Sequence, residues 1–148
     1  MKKLLVSMFV VGGFGLIAGL SAAWALDVSK AMCPVSGKAV KENASIDYRS
    51  GKLYFCCNNC PKAFAGDKAK FATKANRQLA VTGQAKQGKC PISGKDVKEN
   101  TALDVDGVSV TFCCKNCRKK VDGAEGDEQL DLVFSDKAFD KAFTVGSE

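Results

Sequence analysis

Eight cysteines carry the chemistry of this 148-residue chain, and they fall into two sets of four. Cys33, Cys56, Cys57 and Cys60 are matched 57 positions later by Cys90, Cys113, Cys114 and Cys117. Within each set the first Cys is separated by 22 residues from a Cys-Cys-x-x-Cys run. A thiol spacing repeated in full points to a geometry of sulfurs, which is a metal-thiolate site or a disulfide staple. The chain has no histidine. That excludes Ser-His-Asp and Cys-His catalysis, haem attachment through Cys-x-x-Cys-His, and zinc sites built on imidazole, so sulfur must do most of any ligation.

Each set opens on a tight turn, Cys33-Pro34-Val35-Ser36-Gly37 and Cys90-Pro91-Ile92-Ser93-Gly94. This is the Cys-Pro-x-Cys-Gly turn of a zinc knuckle with serine in the second ligand place. A serine hydroxyl holds its proton too tightly to ligate zinc well, so the knuckle supplies one sulfur. The other thiols fall at a strand-to-helix junction, where a helix N-terminus favours the thiolate. Three converging sulfurs would make a soft trigonal site suited to copper(I). Four would make a zinc tetrahedron if Cys56 and Cys57, or Cys113 and Cys114, both turned inward. Adjacent strand residues point to opposite faces, which weighs against the fourth sulfur. Asp47 and Asp104 are candidate oxygen ligands, with a solvated hairpin position as the plainer reading.

The elements that must position these thiols are legible in the repeat. Residues 33–64 laid over 90–121 give 16 identities in 32 positions without a gap. In the second copy, residues 101–105 and 108–113 flank Asp106-Gly107, a two-residue hairpin signal. In the first, residues 44–48 and 52–56 flank Ser50-Gly51, with Leu53 and Phe55 inward. A helix follows each Cys pair, with Cys57 or Asn58 as the first N-cap, and carries Phe64 or Val121 four residues after its last Cys. A second helix is expected from Asp67 to about Val81, ended by Thr82-Gly83, with 84–89 as a linker. Beyond Asp127 a short strand or helix is expected, then a helix over 136–143 capped by Ser135. Lys41-Glu42-Asn43 and its copy read as a polar turn entering the hairpin.

The knuckle turn, a hairpin ending Tyr54-Phe55-Cys56 and a Cys four residues later resemble the TRASH and YHS families of small metal-binding modules. Cys33, Cys56 and Cys60 fit their spacing, as do Cys90, Cys113 and Cys117. The resemblance covers roughly residues 32–65 and 89–122. It departs where relatives often have Cys in place of Ser36 and Ser93, and serine in place of Cys57 and Cys114. It implies a treble-clef-like fold and a role in heavy-metal sensing, trafficking or resistance. The expected fold class is α+β, with two tandem treble-clef-like modules joined by a helical segment.

Residues 1–25 read as a signal peptide. Lys2 and Lys3 precede an apolar run over 4–20 and a small-x-small exit at Ala23-Trp24-Ala25. Cleavage there would leave a chain with one module in 26–83 and the second in 84–148, each with a helical extension. An uncleaved membrane anchor is the alternative, though a glycine-interrupted run of 17 residues is near the lower limit for a span. The expected location is periplasmic or extracellular, without stable membrane insertion after cleavage. Net charge is +6 and falls to +4 without Lys2 and Lys3. Those charges interleave with acidic residues instead of forming a basic face, so no nucleic-acid partner is expected. Modules this small gain stability from metal or disulfides.

The preferred reading is an exported protein that captures thiophilic ions, zinc or copper(I), through all eight cysteines. No enzyme is expected, since no phosphate loop, nucleotide fingerprint or catalytic base is visible. Two alternatives stay open: a disulfide- or zinc-stapled module that engages an envelope protein partner, and a thiol-disulfide oxidoreductase acting through the Cys-x-x-Cys pairs.

Overall fold

The computed structural model of the protein describes residues 26–146, so the leader expected over 1–25 lies outside the described residues. The described chain is mixed α+β, with five helices and three two-stranded antiparallel sheets. None of its helices is long and apolar enough to cross a membrane.

Each copy begins with its knuckle. Cys33 N–H donates to Lys38 C=O at 2.8 Å and Gly37 N–H donates to Cys33 C=O at 2.8 Å. The second copy repeats the pair with Cys90 to Lys95 at 2.9 Å and Gly94 to Cys90 at 2.8 Å. Closing so tight a loop puts Gly37 and Gly94 at φ of 68° and 73°, where a side chain is strained.

The first hairpin is β1 (Lys41–Tyr48) with β2 (Gly51–Phe55). Its turn is Arg49-Ser50, with φ of 49° and 63°, one residue earlier than the expected Ser50-Gly51. Gly51 belongs to the strand because Leu79 and the Gln84 side chain pack onto its α-carbon; an added Cβ would lie 2.9 Å and 3.0 Å from them. The second hairpin is β4 (Leu103–Val105) with β5 (Val108–Val110), turning at Asp106-Gly107 as expected but with shorter strands. Lys41-Glu42-Asn43, read as a turn, lies within β1, which absorbs the extra residues in a bulge before Ser45. Its copy does turn. Asn100 takes φ 66°, and the Thr101 hydroxyl ties the chain to Lys98 C=O and Phe112 C=O. Ala44 has no hydroxyl to do the same.

The helices after the Cys pairs are α1 (Cys60–Gly66) and, in the second copy, α3 (Lys115–Asp122). Asn59 is the N-cap of α1, where Cys57 or Asn58 was expected, because the chain turns before Pro61. The long helix α2 (Lys68–Val81) is capped by the Asp67 carboxylate, which accepts from Lys70 N–H at 3.1 Å, and ends at Thr82-Gly83 as expected.

Two expectations fail in the connecting and C-terminal segments. The linker contains a strand, β3 (Ala85–Gln87), paired with β6 (Phe143–Val145). Phe143 is thereby drawn out of the expected 136–143 helix, and α5 is Asp136–Ala142 with Ser135 at its N-cap. The stretch with alternating Leu130, Leu132 and Phe134 is helical, as α4 (Gly126–Phe134), with Asp127 and Glu128 at its positive end and Val133 and Phe134 inward.

One hydrophobic core runs through both copies. Phe55, Phe64 and Leu79 from the first half, and Val110, Phe112, Phe134 and Phe139 from the second, are at most 1% exposed. Each such side chain contributes roughly 1.5–3 kcal/mol through burial. Helix α2 lies in the middle, packed on β2, α4 and α5. Polar groups fasten the halves together. Asn76 donates to Phe134 C=O at 3.0 Å, Arg49 pairs with Asp136 at 2.7 Å and with Asp140, and Arg77 Nε donates to Asp106 C=O at 3.0 Å.

Candidate metal centres

In each copy the knuckle, the end of the hairpin and the following helix bring one sulfur apiece to a common point. The Sγ atoms of Cys33, Cys56 and Cys60 all lie within 4.8 Å of one another, as do those of Cys90, Cys113 and Cys117. Cys56 and Cys60 sulfurs are 3.6 Å apart, and Cys113 and Cys117 are 3.7 Å apart. These separations match the edge of a thiolate tetrahedron, about 3.8 Å for a zinc–sulfur bond near 2.3 Å. They far exceed the roughly 2.05 Å of a disulfide. All eight cysteines are free thiols. Among the described residues these two triads are the groups that could hold a metal ion.

The fourth thiol of each set stands beside its triad and outside the group of mutually close sulfurs. Cys57 Sγ is 3.5 Å from Cys60 Sγ, and Cys114 Sγ is 3.8 Å from Cys113 Sγ. Cys57 is exposed and Cys114 half-buried. The carboxylates do not join. Asp47 is exposed on β1 opposite Lys52, and Asp104 accepts the Gly107 N–H at 3.1 Å inside its turn.

The knuckle serines hold a part the sequence did not reveal. Ser36 Oγ lies 3.2 Å from Cys56 Sγ, and Ser93 Oγ lies 3.1 Å from Cys113 Sγ. Each serine therefore lies at hydrogen-bonding distance from a sulfur, in the ligand place where it would bind a metal poorly. The sequence carried one signal for this, since the same residue stands in both turns.

The local field sorts the thiols. Burial alone would raise the Cys33 thiol, but the Ser36 hydroxyl and the backbone N–H groups of Cys56, Ser36 and Val35 outweigh it and bring the pKa to about 7. Cys90 is held at about 7 by the equivalent partners, Ser93, Cys113 and Ile92. Cys60 moves the other way, raised by burial and by hydrogen bonds to Cys57 and Cys56. Cys117 is pushed up to about 12 by burial and by Cys113 and Cys114. Cys57 is lowered by the N–H groups of Asn59 and Cys60, and Cys114 by the Cys117 N–H and the Cys117 and Cys113 thiols. Each triad thus offers a thiolate on the knuckle and a proton-bearing thiol on the helix, an arrangement a metal ion completes by displacing the remaining protons.

Comparison with protein-family models, with curated proteins and with solved structures finds no significant match.

Proposed function

We propose that each cysteine triad captures one thiophilic metal ion, zinc or copper(I), and that the protein is an exported metal-binding protein serving trafficking, storage or resistance. The observation that carries this reading is the convergence, twice, of three sulfurs from three separate elements. Sulfur-only donor sets select soft ions over calcium or magnesium. The order of knuckle, hairpin and helix supports a treble-clef-like module of the TRASH and YHS kind in each copy. Capture begins at Cys33 or Cys90, whose thiol, with a pKa of about 7, ionises more readily than a free cysteine. Cys60 or Cys117, raised by burial, then gives up its proton to the ion, and Cys56 or Cys113 supplies the third sulfur. The fourth thiols, Cys57 and Cys114, stand ready to join when an ion demands four ligands.

The test is metal content together with free-thiol count on protein recovered from its native compartment. Near-stoichiometric zinc or copper, lost on Cys33→Ser and Cys60→Ser substitution in the first copy, supports capture. Metal-free protein with no titratable thiols contradicts it.

A further inference from the structure

A triad forms only if the knuckle, which carries the first sulfur, is held against the hairpin, which carries the second. Some contacts that do this lie within the site, from Ser36 and Ser93 and from the Cys56 and Cys113 N–H groups. Further hydrogen bonds that do this come from two glutamine side chains outside the triads. Gln78, on α2, accepts the Tyr54 N–H at 2.7 Å and donates to Tyr54 C=O at 2.8 Å and to Met32 C=O at 2.8 Å. Tyr54 is two residues before Cys56, and Met32 immediately precedes Cys33. Gln87, on β3, accepts the Thr111 N–H at 2.9 Å and donates to Thr111 C=O at 2.6 Å and to Lys89 C=O at 2.9 Å. Thr111 is two residues before Cys113, and Lys89 immediately precedes Cys90.

The two amides make the same three bonds, yet they are not repeat partners. The position matching Gln78 is Ser135, and the one matching Gln87 is Lys30. One clamp follows its triad in the chain and the other precedes its own. The chemistry explains why glutamine serves. An edge strand leaves the N–H and C=O of every second residue unpaired, and a primary amide offers the same donor and acceptor as a peptide group. Gln84 shows this role alone: it pairs with Lys52 N–H at 2.6 Å and Lys52 C=O at 2.8 Å, but reaches no residue adjoining a knuckle cysteine.

We infer that Gln78 and Gln87 are positioning residues of the two metal centres, each locking its knuckle to its hairpin so that the three sulfurs are set for the ion before it arrives. This rests on the metal-binding reading above and adds to it a preorganising contact from outside the repeat. Outer contacts that orient ligands typically change metal affinity by about 10–100-fold.

The test uses cobalt(II) as the probe, on the full reduced chain, with affinity and thiolate-to-cobalt charge-transfer absorption read together. Gln87→Met is measured with the first triad silenced by Cys60→Ser, and Gln78→Met with the second silenced by Cys117→Ser. Each is expected to weaken cobalt binding about 10–100-fold and alter the absorption. Gln84→Met, which removes the same kind of edge pairing, is expected to leave both unchanged. Unaltered affinity and spectrum in Gln87→Met overturn the inference. So does an equal loss in Gln84→Met, which reduces the amides to edge-strand support. Gln87 is half-exposed and decides the matter if Gln78→Met does not fold. A parent chain that binds no cobalt overturns the metal-binding reading itself.

Discussion

In the second copy the helix after the cysteine pair starts at Lys115, and Arg118 N–H donates to Cys114 C=O at 3.2 Å. In the first copy the residue matching Arg118 is Pro61, which has no N–H to give to Cys57. Cys60 N–H takes over that carbonyl at 3.3 Å, the chain makes a tighter turn, and α1 begins two residues later in the repeat. The result is that Cys57 is left exposed, while Cys114, as the N-cap of α3, is half-buried. The triads converge despite the change. Three sulfurs are therefore brought together by a knuckle, hairpin and helix that the copies share, with a glutamine clamp drawn from a different place in each. The fourth thiol follows a local backbone difference at one residue.

The comparison can be broken most forcefully at the triads. Cys60→Ser is expected to cost the protein the ion of the first copy, and Cys117→Ser that of the second, each leaving about half the parent metal content by elemental analysis. Loss of both ions from one substitution would show that the copies do not bind independently.

The cores under the two helices should also separate. Phe64 is fully buried against Tyr48, Phe55 and Phe71, so Phe64→Ala should cost about 3–5 kcal/mol by chemical denaturation. Val121 is as buried but smaller, and Val121→Ala should cost about 2 kcal/mol.

Arg118→Pro should make the second copy resemble the first. It removes the bond to Cys114 C=O and the Arg118 Nε bond to Ala102 C=O, and sets the proline ring against the Cys114 carbonyl, at a cost of about 3 kcal/mol. Alkylation of Cys114 in the metal-free protein should rise toward the rate of Cys57. An unchanged rate would mean that the proline does not govern exposure of the fourth thiol.

The smallest effect is one on which the copies should agree. Cys33 and Cys90 are both depressed to about 7, so each is a thiolate above that pH and a thiol below it. Binding should release about one more proton per ion as pH falls through about 7, and affinity should fall more steeply below it. The number of protons released, followed by calorimetry in buffers of different ionisation enthalpy, checks the sign.

Much of this was legible in the sequence, because it is local. The Asp106-Gly107 turn, a helix start near Asp67 and its Thr82-Gly83 stop follow from residues within a few positions of one another. The triads were what the resemblance to TRASH and YHS modules implied, and the alternation of adjacent strand residues weighed against a fourth sulfur. What escaped depends on partners far along the chain. Ala85–Gln87 reads as a linker until Phe143–Val145 pairs with it. Gly51 reads as a turn residue until Leu79 is seen against it. Gln78 lies within the expected helix and Gln87 within the expected linker, and nothing near either in sequence shows the backbone that its amide meets.

X-ray absorption at the metal edge of the loaded, reduced protein tests the central claim most directly, because it counts the atoms around the ion. Two sulfur triads that capture thiophilic ions predict a first shell dominated by sulfur, near about 2.3 Å if the ion is zinc. A first shell of oxygen or nitrogen, or one unchanged when Cys33, Cys56 and Cys60 and their counterparts are all replaced by serine, would contradict it.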